Sequence, residues 1–150
     1  MEFAQMTIKD YPDVFALWQS CEGEGVCIDE DVDSREGIAA YLQRNRGMSF
    51  VAREDGELIG CVLCGTDGRR GYLHHLAVDK ACRGNGIGKA LIQEALHALA
   101  EEGIGICHVF VLKSNKVGKA FWSHLGWVLR DNFTIMSHMP QMTSRNGEKK

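Results

Sequence analysis

The sequence has no excess of charge, no long apolar run and no internal repeat, and each absence removes a class of function. Its 17 basic and 20 acidic side chains leave a net charge of −3. Bulk charge therefore gives no reason to expect a nucleic-acid or membrane partner. The apolar runs are too short to span a bilayer, and no signal-peptide pattern opens the chain. A cytoplasmic protein is expected. No low-complexity linker divides the 150 residues, which suits one domain around one core. That domain is expected to span residues 1–139, with a polar C-terminal tail over 140–150.

Also missing is any second C-x-x-C to accompany Cys61 and Cys64. Six cysteines without a secretory signal read as reduced thiols rather than as a disulfide framework. Cys61 and Cys64 fall in a strand-like run, where residues three apart point to opposite faces. One metal ion cannot easily take both, so no metal is expected and the pair reads as small core residues.

Local patterns predict the elements. Residues 2–8 alternate as a strand, and Tyr11-Pro12-Asp13 opens a helix with Val14, Phe15, Leu17 and Trp18 on its apolar face. An acidic loop over 22–33 carries Glu22, Glu24, Asp29, Glu30, Asp31 and Asp33. Ser34 is a candidate N-cap for a helix to Arg46. Strands over 49–53 and 58–63 flank the hairpin signal Asp55-Gly56, and 72–79 is a further strand. The clearest helix spans 86–102, with Gly103 as its stop. A buried-type strand at 104–112, a helix at 115–125 and a last strand at 127–138 complete the order β-α-α-β-β-β-α-β-α-β. Hairpins imply antiparallel pairing early, and the strand–helix–strand unit from 72 to 112 implies parallel pairing later. The fold class is α/β, with a mixed central sheet.

Between a strand and the clearest helix lies Arg83-Gly84-Asn85-Gly86-Ile87-Gly88. Alternate glycines let backbone N–H groups turn toward one point. The helix behind adds unpaired N–H groups and the positive end of its dipole. Such a place favours phosphate, and Arg83 can add a charge-assisted contact. A tight structural turn would also use these glycines. Two rival phosphate motifs fail on spacing. A dinucleotide fold wants G-x-G-x-x-G with an acidic residue ending the next strand, whereas Glu101 and Glu102 end the same helix. A P-loop wants Gly five residues before Gly-Lys-Ser/Thr, but Arg83 stands there and Ala90 follows Lys89.

Leu76-Ala77-Val78-Asp79 followed by Arg83 through Leu91 resembles the first signature of the GNAT acetyltransferase superfamily, Gln/Arg-x-x-Gly-x-Gly/Ala. Asn115 through Trp127 resembles its second, Asn-x-x-Ala/Gly-x-x-Phe/Leu-Tyr-x-x-x-Gly-aromatic. The predicted element order is also that family's order, so the resemblance spans about residues 2–138. Leu17-Trp18, Ser49 through Ala52 and Asp67 through Gly71 are similar to small bacterial members of unassigned substrate.

The resemblance implies transfer of acetyl from acetyl-CoA, as co-substrate, to a primary amine by direct attack. It implies two splayed parallel strands with the acyl-pantetheine arm between them. Leu76, Ala77 and Val78 would contact that arm, with the Leu76 N–H as oxyanion donor. Arg83, Gly84, Asn85, Gly86, Ile87, Gly88 and Lys89 would hold the pyrophosphate. Asn115, Gly118, Lys119 and Trp122 form one helical stripe, which the resemblance turns toward CoA. An N-cap role for Asn115 stands beside that reading.

Two positions depart from the family pattern. The frequent acid, Tyr, is replaced by Trp122, whose indole N–H donates a hydrogen bond but is no practical proton donor. A Glu base used by some members would fall near Phe110. His74 and His75 are the nearby candidates for a base, and strand alternation allows at most one to face the acceptor. The acidic loop suggests a cationic amine, or else is simply solvated. Asp67, Arg69 and Arg70 form a hairpin tip, with a plain turn as its simplest reading. The alternative function is a non-catalytic acyl-CoA-binding or sensing module. Either a monomer or a homodimer is compatible with the sequence.

Overall fold

A computed structural model describes residues 1–140. Strands β1 (Glu2–Gln5), β2 (Phe50–Glu54), β3 (Glu57–Thr66), β4 (Gly71–Val78) and β5 (Cys107–Val109) form one sheet in chain order. The first three pairings are antiparallel and β4–β5 is parallel. Helices α1 (Tyr11–Ser20) and α2 (Arg35–Arg44) pack on one face with Val51, Cys61, Leu63 and Ala77. Helix α3 (Ile87–Glu101) packs on the other with Ala52, Val62, Cys64 and Leu73, joined there by Trp122 of α4 (Lys116–His124). The mixed α/β sheet inferred from hairpins and one parallel crossover is the fold observed.

Local chemistry accounts for these elements. Pro12 sits in the first turn of α1, and Val14, Leu17 and Trp18 bury one stripe. The Gly37 N–H donates to Ser34 Oγ at 3.0 Å, so Ser34 caps α2. Asp55 and Gly56 both take positive φ, 51° and 82°, as a two-residue hairpin turn requires. Arg53 of β2 reaches Asp10 at 2.9 Å and Asp13 at 3.1 Å, tying the sheet to the start of α1. Cys61 and Cys64 lie in opposite packing layers, which accounts for the C-x-x-C without a metal.

Three expectations need correction. The first strand stops at Gln5, because Thr7 N–H donates to Asp10 Oδ2 at 2.9 Å and closes a 3-10 turn over Ile8–Asp10. The strand at 104–112 shrinks to Cys107–Val109. The strand expected at 127–138 does not form: that segment takes no ladder partner, and Val128 and Ile135 are exposed. Alternation alone predicts a strand, but a strand exists only as half of a ladder. The β4–β5 ladder ends at Leu73↔Val109 while β4 continues to Val78. The tail expected over 140–150 lies, past Pro140, outside the described residues.

Candidate active site and coenzyme cleft

The open side of β4 makes the main cleft. Beyond Leu73, β4 has no ladder partner on the β5 side, and a cleft of about 1310 Å³ opens between the two strands. A bulge lies in β4 where Cys61↔Ala77 gives way to Leu63↔His74. His75 carries the distortion with φ 51°, a left-handed conformation that strains a non-glycine strand residue.

The bulge corrects the expectation drawn from strand alternation. Both histidine rings lie on the α1–α2 side of the sheet. The His75 ring centroid is 4.8 Å from that of Trp18 in α1, and His74 is 6.4 Å from Tyr41 in α2. His74 sits among near-parallel rings, with Tyr72 at 6.4 Å and Phe110 at 5.9 Å. Burial first, and the neighbouring His75 second, push its pKa below the ordinary histidine value against the pull of Asp33. His74 is thus a neutral ring in an aromatic wall at pH 7. His75 instead pairs with Asp33, Nε2 to Oδ2 at 2.8 Å.

At the other end of the cleft, Gly84 and Gly86 take φ 83° and 79°, and a Cβ built on either would meet nothing within 4 Å. Both glycines line the cleft at the α3 N-terminus, where a side chain would project into open space. Arg83 is fastened beside it: Nε donates to Val78 O at 3.0 Å, and Nη1 reaches Glu24 Oε2 at 3.3 Å. Lys80 reaches the other Glu24 oxygen at 3.0 Å. Hydrogen bonds from Lys80 and then Arg83 hold the Glu24 carboxyl below the usual carboxylate range. Of the six acidic loop residues, Glu24 thus lies at the glycine loop and Asp33 at the histidines.

Leu76, Ala77, Val78, Arg83, Gly84, Gly86, Ile87, Gly88 and Lys89 all line the cleft, as do Asn115, Gly118 and Trp122. Asn85 does not; its Nδ2 donates to Cys82 O at 3.1 Å and tightens the loop from behind. Lys119 also leaves the stripe, because its Nζ is drawn to Lys113 O. Asn115 does cap α4, accepting the Gly118 N–H at 2.8 Å. A Cβ on Gly118 would crowd that same amide, so a larger residue there would have to displace the Asn115 side chain. Trp122 is buried, with its ring 4.7 Å from Trp127. Asp67 accepts N–H bonds from Arg69 and Arg70, making a self-contained turn away from the cleft wall. Among the described residues no cluster of three or more His, Cys, Asp or Glu could hold a metal ion. No described helix is long and apolar enough to cross a membrane.

The sequence profile of the Acetyltransferase (GNAT) family matches residues 11–127, most of the chain. The chain belongs to the GNAT acetyltransferase family. As a member it is an acetyl-CoA-dependent acyltransferase. It is similar to an acetyltransferase of Pectobacterium atrosepticum, 29% identical over 90% of this chain and 93% of that protein. Its fold is similar to that of a PaiA N-acetyltransferase from Thermoplasma acidophilum solved with coenzyme A. That match has a TM-score of 0.75 and 22% identity, covering 87% of this chain and 91% of the other. A predicted acetyltransferase from Clostridium acetobutylicum solved with acetyl-CoA matches with a TM-score of 0.72 and 15% identity, over 91% and 95% of the two chains.

In this GNAT member, the residues that sequence reasoning could not single out are those joined across the fold. Asp33 looked like one of six loop carboxylates, and Glu24 like another. Phe121 of the second signature comes within 3.3 Å of a Cβ built on Gly88, so α4 approaches the start of α3 there.

Proposed function

We propose that this acyltransferase moves acetyl from acetyl-CoA to a primary amine by direct attack, with the amine entering from the α1–α2 side. The observation that carries this reading is the pair of openings on one strand. The glycine cradle lies just past the C-terminal end of β4, and the unladdered, bulged stretch at Leu76 lies before it. Gly84, Gly86, Ile87, Gly88 and Lys89 would offer backbone N–H groups to the pyrophosphate, with the Arg83 charge beside them. Leu76 and Val78 would hold the arm by their backbone, and the Leu76 N–H would face developing oxyanion charge. The bound thioester supplies an activated acetyl group; the protein supplies position, a proton route and exclusion of water.

Incubating the protein with acetyl-CoA and primary amines, and following free thiol, tests the proposal. Amine-dependent release is expected. CoA binding with no release on any aliphatic, aromatic or peptide amine would instead favour the non-catalytic binding module, to which Trp122 lends weight.

Trp122 has no transferable proton, so departure of thiolate must do without a side-chain acid there. A thiolate whose conjugate acid has a pKa of about 8.5 can leave and collect its proton from water. Trp122→Phe is expected to keep turnover within about threefold, because the indole N–H supplies no proton to the departing thiolate. A collapse in Phe with a gain in Trp122→Tyr would overturn this reading. Glu24 competes with phosphate for Arg83 and Lys80. Glu24→Gln should tighten CoA binding by about a few-fold in calorimetry, as loss of an exposed competitor for Arg83 and Lys80 predicts. Unchanged or weaker binding would show that Glu24 does not compete.

A further inference from the structure

We infer that Asp33 and His75 form a proton-accepting dyad, in which Asp33 is a positioning residue that fixes the His75 tautomer. This rests on the acyl-transfer reading above and names the base that reading leaves open.

Four observations converge on the pair. Asp33 is 5% exposed, and its Oδ2 accepts both from His75 Nε2 at 2.8 Å and from the Asp29 N–H at 2.9 Å. A buried carboxylate is retained only where donors satisfy it. Burial acts to raise its pKa, but the His75 bond and the Asp29 N–H outweigh that and hold it below the usual carboxylate value. Second, the loop carrying Asp33 is itself anchored, because Tyr11 Oη donates to Asp33 O at 2.7 Å. Third, the Trp18 ring stands against the imidazole at 66° and limits its rotation. Fourth, His75 bears the positive φ of the β4 bulge, so backbone strain is spent at the residue just before Leu76.

An ionised carboxylate on Nε2 requires the proton at Nε2 and leaves the lone pair on Nδ1. His75 lines the cleft one residue from the proposed oxyanion donor. Nearby titratable groups are His74 on its own strand, Tyr11, which donates to Asp33 O, and Cys61 on β3, whose Sγ lies 3.9 Å from the His75 backbone O. His74 is disfavoured as a cation by burial, and the Cys61 thiol is pushed up to about 12 by burial. Neither competes with Asp33 as a charged partner near neutral pH. His75 Nδ1 takes one proton from the acceptor ammonium and passes it to solvent. The freed nitrogen adds to the thioester carbonyl carbon, and the C=O π pair moves onto the oxygen beside the Leu76 N–H. As that pair re-forms the carbonyl the C–S bond breaks, the second nitrogen proton passes to water, and the departing CoA thiolate takes a proton from water.

The test uses the full chain, wild type, Asp33→Asn, Asp33→Glu and His75→Gln. The first readout is the His75 tautomer from long-range proton–nitrogen correlations at mildly alkaline pH. Nε2–H is expected in wild type and Nδ1–H in Asp33→Asn, where the Asn amide can donate to Nε2. The second readout is thiol release above the protein-free rate with two probes, n-butylamine, an ammonium at neutral pH, and 2,2,2-trifluoroethylamine, which is already neutral. Asp33→Asn and His75→Gln should each lower kcat for n-butylamine by about 100-fold, the usual worth of a positioned base. Their KM for acetyl-CoA should not change. Trifluoroethylamine turnover should stay within a few-fold, and Asp33→Glu should recover part of the n-butylamine rate. Equal losses for both amines would overturn the proposal, as would an Nδ1–H wild type or variants that match wild type. A wild type that releases thiol with neither amine overturns the transferase reading and the base with it. A wild type active on both, alongside unaffected variants, overturns the base alone.

Discussion

Gly86→Val is expected to weaken CoA binding by at least about 100-fold while the protein stays folded. Gly86 holds φ 79° at the entrance to α3. A β-branched residue there incurs a left-handed strain of about 1–3 kcal/mol. Part of that strain would be relieved by turning the peptide, which would swing the N–H groups off their common point. The larger effect is steric. A Cβ at this position projects into open space, the same space a phosphate would need to reach the loop N–H groups. Calorimetric titration with CoA measures the loss, and thermal unfolding measures the strain alone. At about 2–4 °C per kcal/mol, the melting temperature should fall by only several degrees. Gly56→Val is the matched control. Gly56 has φ 82° and equally open surroundings, but sits in the β2–β3 hairpin away from the cleft. It should lose similar stability and keep CoA affinity. If the two variants bind CoA alike, the cradle assignment is wrong.

Trp18→Ala is expected to cost about 3–5 kcal/mol, the usual range for deleting a fully buried large aromatic side chain. Trp18 is 0% exposed and packs edge-on against Tyr11, Phe15 and His75. It joins α1 to the face of the sheet that carries the bulge. The loss corresponds to a drop of about 10 °C or more in melting temperature, read by calorimetry. A second consequence separates support from mere stability. Removing the ring frees the His75 imidazole to rotate, so kcat for an ammonium acceptor should fall below the temperature at which unfolding begins. Trp18→Phe should recover much of both. A variant that melts far lower yet keeps full kcat would show that the ring holds the core but not the histidine.

How legible these features were depended on how local their causes are. The Asp55-Gly56 turn, the Ser34 cap, the α1 stripe and the long α3 helix each arise within a few residues, and each was read close to its observed bounds. The glycine loop was legible for the same reason, as was the Asn115 cap. The strand expected at 127–138 misled because its alternation is local while pairing is not. Strand alternation likewise excluded one of the two histidines, until the bulge placed an extra residue in β4 and turned both rings to the α1–α2 side. Asp33 was invisible as a partner, since nothing in six loop carboxylates marks which one is buried beside His75, 42 positions away.

The amino-acid sequence by itself determined the family, the mixed α/β order and the glycine turn that opens α3, because spacing along the chain sets turns and helix faces. Only the tertiary structure decided the Asp33–His75 pair, the hold of Glu24 on Arg83 and Lys80, and the loss of the last strand. Those depend on which distant segments the sheet and its two helical layers bring within hydrogen-bonding reach, and no local pattern encodes that distance.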